Sequence, residues 1–136
     1  MTFILIILIF LSPISAEAAD WQLIAENKEN KVYIDKESIN YGSKNLVKAW
    51  FRTVPNVPFR IFDKYMTSQI VYEEENCKKH TMRFFQAISN YSDGTSEKII
   101  SEPCAWFDVP TDTIFEAKHE SLCKDRKISA ESLNHL

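Results

Sequence analysis

Two short spacings pair a thiol with an imidazole. They are Cys77-Lys78-Lys79-His80 and, on a predicted helix, His119 with Cys123 four residues on. Zinc takes four Cys or His ligands in tetrahedral geometry, so Cys77, His80, His119 and Cys123 are the residue types a metal or haem site would use. The remaining cysteine, Cys104, with His80 or His119 would supply a thiol and a base for nucleophilic catalysis. The run Glu73-Glu74-Glu75 has the oxygens of a cation site. Each of these has a plainer reading. Glu102-Pro103-Cys104-Ala105-Trp106 fits no nucleophile motif, and a lone cysteine is commonly a small buried hydrophobe. An acidic run at a strand end reads as a solvated face, and His80 and His119 read as ordinary surface residues. No catalytic residue and no resident metal or cofactor is therefore expected.

The chain's first segment decides between the thiol chemistries. Phe3 to Leu11 is an unbroken apolar run, stopped by Ser12 and Pro13. It is shorter than the roughly 20 residues that span a bilayer. It matches the core of a secretory signal, and Ala16-Glu17-Ala18 gives the small-residue cleavage pattern. Residues 1–18 are accordingly expected to be removed, leaving a product in the periplasm, secreted, or at the cell surface, with no stable membrane span. No Lys or Arg precedes the core, and no Cys follows it to take a lipid.

Outside the cytoplasm disulfides persist. Cys77, Cys104 and Cys123 then predict one bridge and one odd thiol, and sequence alone permits three pairings. Two features favour Cys77 with Cys123. The first ends an extended segment and the second ends a helix, so their bond would pin helix to sheet. Oxidation also competes with thiolate metal ligation. The formal net charge is −3, or −2 without Glu17, a balance that gives no field for nucleic acid. With only Gly42 and Gly94 there is no glycine-rich phosphate loop.

The elements that must position these residues form an α+β pattern. Trp21 to Glu26 reads as a strand. Lys31 to Asp35 alternates, with Val32 and Ile34 on one face. Asp35 caps a helical turn over Lys36 to Ile39. Leu46 to Val54 carries Val47, Ala49 and Phe51 on one face and Leu46, Trp50 and Val54 on the other, predicting a central, covered strand. Phe59 to Thr67 reads as a loop or a short helix. Ser68 to Cys77 and Lys79 to Tyr91 are long strands, the latter with Met82, Phe84 and Ile88 sharing a face. Asp93-Gly94 predicts a tight hairpin into Thr95 to Glu102. Pro103 to Pro110 is a loop. Thr113 with Glu116 is a capping box for a helix whose one face holds Ile114, Ala117, Lys118, Ser121 and Leu122. The whole is a single meander-like antiparallel sheet of about six strands with a C-terminal helix on one face. Residues 19–123 make the domain, and 124–136 a tail without apolar periodicity.

The order of these residues resembles the surface-adhesin protein E family. Trp21-Gln22-Leu23-Ile24, Tyr33-Ile34-Asp35 with Ser38-Ile39, and Val47-Lys48-Ala49-Trp50 stand where that family has its opening strands. Glu75-Asn76-Cys77, Arg83, Trp106, Pro110 and Cys123 fit its later positions, so the likeness covers nearly all of Trp21 to Cys123. The resemblance implies a sheet with a disulfide-tied C-terminal helix, in an exported envelope protein. It also implies adhesion to host extracellular-matrix proteins, the activity named for the family. Cys104 is an addition to the pattern.

The expected function is a non-catalytic binding module whose partners are extracellular or envelope proteins. The alternative is a periplasmic metal- or haem-binding protein using Cys77, His80, His119 and Cys123. The residues themselves name no ligand site. The aromatic and basic side of the sheet, with Tyr33, Arg83 and Tyr91, is the candidate surface.

Overall fold

The computed structural model describes residues 19–134, with side chains described as far as Lys124. The expected leader lies outside the described residues. Strand β1 (Trp21–Glu26) turns through Asn27, whose side-chain oxygen accepts the Glu29 and Asn30 N–H groups, into β2 (Asn30–Asp35). Asp35 caps a 3-10 turn (Lys36–Ser38) by accepting the Glu37 N–H. There follow β3 (Asn40–Tyr41), β4 (Leu46–Pro55), β5 (Phe59–Ile61), β6 (Lys64–Asn76), β7 (Thr81–Tyr91), β8 (Ser96–Ile100) and β9 (Phe107–Asp108), and then helix α1 (Ile114–Asn134). The helix backbone thus continues through most of the segment expected to be a tail.

The strands form one antiparallel sheet of nine strands rather than about six. Six make the main path, β1-β2-β4-β6-β7-β8. The other three, β3, β5 and β9, are two or three residues long and pair onto β4, β6 and β7. Strands so short carry no readable alternation, which is why Phe59 to Thr67 passes for a loop. In the structure its Phe62-Asp63 pair is a two-residue turn between Ile61 and Lys64.

The helix covers one face only. Val32, Ile34, Val47, Ala49 and Phe51 lie fully buried beneath it with Leu122. The disulfide joins Cys77, just past β6, to Cys123 on α1, with Cα atoms 5.5 Å apart. It closes a long loop and fastens the helix to the sheet. The expected Thr113–Glu116 capping box does not form: Glu116 Oε2 accepts the N–H of Asp112 at 3.3 Å rather than that of Thr113, and the Thr113 hydroxyl donates to the Pro110 carbonyl. Strand β4 is central as expected, but its second face has no covering layer. Trp50 there is half-buried.

A bulge in β7 corrects the expected faces. Tyr72 pairs with Gln86 and Glu73 with Phe84, so Phe85 is the extra residue. One extra residue flips every later side chain to the other side. Met82 and Phe84 therefore face the helix, while Ile88 faces away. Arg83 and Tyr91 likewise lie on opposite faces, and Tyr91 is buried, so the expected Tyr33–Arg83–Tyr91 surface does not exist as one patch.

Candidate binding face and buried charge cluster

Alternation along β6 sends Glu73 and Glu75 beneath the helix and Glu74 to the open face. The acidic run is thus buried, not solvated: Glu73 and Glu75 are 0% exposed. Lys118 Nζ donates to Glu73 Oε1 at 2.7 Å, and His119 Nδ1 lies 2.8 Å from Glu75 Oε2. His119 is buried as well, correcting its expected surface position, whereas His80 is exposed. The Lys118 ammonium also sits 5.3 Å above the Phe51 ring and 5.2 Å from the Phe115 ring.

The cluster holds two carboxyls and one lysine, so it needs one more proton to be neutral. Burial, the neighbouring Glu73 charge and a hydrogen bond with Glu73 push the Glu75 carboxyl up to about 9, against a smaller pull from Lys118. Burial, with the nearby His80, lowers the His119 imidazole to about 4. Both directions follow from desolvation, which favours neutral forms. At neutral pH Glu75 is therefore a carboxylic acid and His119 is uncharged. Glu73 Oε2 and Glu75 Oε1 are buried and accept no hydrogen bond from any donor. A proton on Glu75 Oε1, donated to Glu73 Oε2, satisfies both. The His119 Nδ1–H then donates to Glu75 Oε2, and every buried carboxyl oxygen is used.

His80, His119 and Cys123 do gather at this end of the molecule. The two imidazoles lie 4.4 Å apart and His119 Nε2 is 3.6 Å from Cys123 Sγ. The sulfurs of Cys77 and Cys123 are bonded to each other, and His119 Nδ1 is engaged with Glu75. Among the described residues no three His, Cys, Asp or Glu side chains are arranged to hold a metal ion. Cys104 is half-buried: its Sγ accepts the Phe84 N–H at 3.2 Å, and its own N–H donates to the Phe84 carbonyl. Among the described residues, no helix is long and apolar enough to cross a membrane.

The open face carries a continuous aromatic and cationic ladder. Trp50 stacks on Tyr72 at 5.0 Å, and Tyr72 meets Phe85 at 5.8 Å. The Arg83 guanidinium lies 4.8 Å from Phe85 and 4.7 Å from Trp106, held between their rings. Lys48 Nζ sits 4.5 Å over Phe85. Beneath them Glu74 accepts from Arg83 Nη2 at 2.7 Å and Nε at 2.8 Å, and faces Lys48 at 3.7 Å. Such stacked and doubly hydrogen-bonded arginine is pre-organised, so it loses little entropy on contacting a partner. The two cations exceed the one carboxylate, leaving the ladder positive. Burial, then the charge of Glu74, raises the Tyr72 phenol. Cross-strand register places this ladder, and the Phe85 bulge that admits a ring there was not visible in the sequence.

The model of the surface-adhesin protein E family matches residues 21–124. The fold is similar to solved structures of Haemophilus influenzae protein E. Its crystal form II is 15% identical, with 85% of this chain and 95% of that chain covered, at a TM-score of 0.61. Protein E from non-typeable Haemophilus influenzae is 16% identical over 93% of this chain and 96% of that one, at 0.56. No individually curated protein matches the chain.

Proposed function

The chain belongs to the surface-adhesin protein E family, and on that premise we propose that it is an exported, non-catalytic binding module of the bacterial envelope. Residues 1–18 are its leader, cut near Ala18, and the open sheet face meets a protein partner. The observation that carries this is Arg83, gripped between Phe85 and Trp106 over Glu74. Arginine and aromatic residues dominate the energetic centres of protein interfaces.

The test is solid-phase binding of the oxidised domain to purified extracellular-matrix proteins, comparing wild type with Trp106→Ala. Trp106 is exposed, so its loss leaves the core intact. Binding should weaken at least about tenfold, as expected for truncating an energetic centre. No binding by the wild type, or equal binding by the variant, sinks the proposal.

A further inference from the structure

The open face holds a second arginine that, unlike Arg83, has no carboxylate of its own. Strand register aligns one row of side chains across that face: Leu23, Tyr33, Arg52, Ile70, Ile88 and Lys98. The row carries two cations and no acid. Trp50 and Val54, two residues along β4 on either side, share the face with Arg52 and are uncharged. The acids closest to it in register are matched elsewhere. Glu26 stands opposite Lys31. Asp35 accepts the Asp20 and Glu37 N–H groups. Glu74 is shared by Arg83 and Lys48.

Arg52 enters none of the ion pairs formed among the described residues. It is half-buried, and its Nε is shielded without a hydrogen-bond partner. A charged donor withdrawn from water with no acceptor is costly. The guanidinium is therefore less well solvated than a fully exposed one, and it attracts an added carboxylate more strongly. Its outer N–H groups would hold that carboxylate by parallel bonds.

The surroundings say what else the ligand carries. Tyr33, Trp50 and Ile70 are half-buried and uncharged, so they suit apolar neighbours of the acid. Arg52 stands four residues along β4 and two strands away from Arg83, about 16 Å by strand spacing. Trp50 and Tyr72 lie between them. Acidic lipid surfaces are held by clustered cations, and a sulfated glycan is likewise a dense polyanion. Neither matches cations separated by uncharged rings.

We propose that Arg52 is a carboxylate anchor: the open face takes a protein segment whose Asp or Glu side chain sits on Arg52, flanked by apolar residues. The inference rests on the open face being the binding surface, and it names the chemistry of the partner.

A displayed random-peptide library, panned on the wild-type domain, tests it, with the enriched peptides remade synthetically. They should hold an Asp or Glu beside apolar residues and bind more weakly as salt rises. Replacing that acid by its amide, or making Arg52→Met, should each weaken binding at least about tenfold, as for loss of a charge-assisted hydrogen bond. The two changes together should cost little more than either alone, because both remove the same contact. Arg52→Lys keeps the charge without the planar fork and should bind between wild type and Arg52→Met. The proposal is overturned if no peptide is enriched, if the enriched peptides lack acids, if Arg52→Met binds them as wild type does, or if the two losses simply add. Binding of heparin or of phosphatidylglycerol vesicles in place of peptides, lost in Arg52→Met, also overturns it. Matrix-protein binding that falls in Trp106→Ala while acidic peptides fail would overturn this inference alone. Matrix-protein binding unchanged in Trp106→Ala would overturn the open-face reading itself.

Discussion

Raising the pH from 6.5 to 9 should destabilise this domain, and Glu75→Gln should remove the effect. Glu75 ionises near 4.5 when unfolded and near 9 when folded. Its folded form holds a proton the unfolded chain has lost, so its contribution is full below 4.5 and is lost as pH rises to 9. His119 ionises near 6.5 unfolded and near 4 folded. Its contribution is full above 6.5 and is lost as pH falls to 4. Between 4.5 and 6.5 the two slopes cancel and stability is level. Above 6.5 only Glu75 acts. About 2.5 pH units at about 1.36 kcal/mol each amount to about 3 kcal/mol lost by pH 9. Of the buried cluster, below 4.5 the last half unit of the His119 range remains, less than about 1 kcal/mol, joined at lower pH by the exposed Asp93, whose carboxyl the Thr95 hydrogen bonds lower. For this buried cluster the alkaline limb is the larger.

Urea unfolding followed by tryptophan fluorescence would measure it. A Cys104→Ala background keeps a free thiolate from attacking the disulfide at high pH. Wild type should lose roughly 1.4 kcal/mol per unit above pH 6.5. Glu75→Gln keeps the shape but cannot ionise, so its curve should rise from pH 4 to 6.5 with His119 and then stay level. A level wild-type curve between 6.5 and 9, or the same fall in Glu75→Gln, refutes the protonated Glu75.

Replacing Cys77 and Cys123 together by Ala should cost about 4 kcal/mol in urea unfolding, from the loop entropy of a 46-residue separation; a loss below about 1 kcal/mol would show that the helix is held without the bond. Lys118→Met leaves Glu73 buried without its cation, and should cost about 3–5 kcal/mol by the same assay. Adding Glu73→Leu to Lys118→Met should restore most of that loss, because the pair is then replaced rather than broken; a double variant as weak as the single would assign the cost to packing.

The regular parts of this fold were legible because they repeat. Val32 and Ile34, and Val47, Ala49 and Phe51, mark the helix-facing side by period two. Asp93-Gly94 marks a turn, with Gly94 at φ +85°. The Cys77–Cys123 pairing is expected with Cys77 at a strand end and Cys123 at a helix end; the bond forms and Cys77 does follow β6, but Cys123 lies within α1, which runs on to Asn134. What the sequence hid is non-local or irregular. Lys118 and His119 lie 45 and 44 residues from the carboxyls they meet, so three adjacent glutamates look like a solvated run until the strand sends two beneath the helix. The Phe85 bulge inverts the second half of β7, which separates Arg83 from Tyr91 and brings Phe85 to the ladder. The β5–β6 turn was missed because it contains Phe62 where turn chemistry calls for Gly or Asn.

The buried cluster and the half-apolar helix explain each other. The stripe Ile114, Ala117, Lys118, Ser121 and Leu122 presents little apolar surface, so burial alone distinguishes poorly between one register of α1 and the next turn. Lys118 on Glu73 and His119 on Glu75 do distinguish them: a slip of one turn would strand two buried carboxyls, each costing far more than an apolar mismatch. The disulfide fixes the same register covalently, one turn beyond His119. The three ties fall between Lys118 and Cys123, and the first turn of α1 adds packing such as Phe115 against Phe84 at 6.0 Å. The sheet's other face needs no second layer, because its aromatic rings and the Arg83–Glu74 pair cover one another. That leaves a rigid platform whose exposed side is already ordered before any partner arrives.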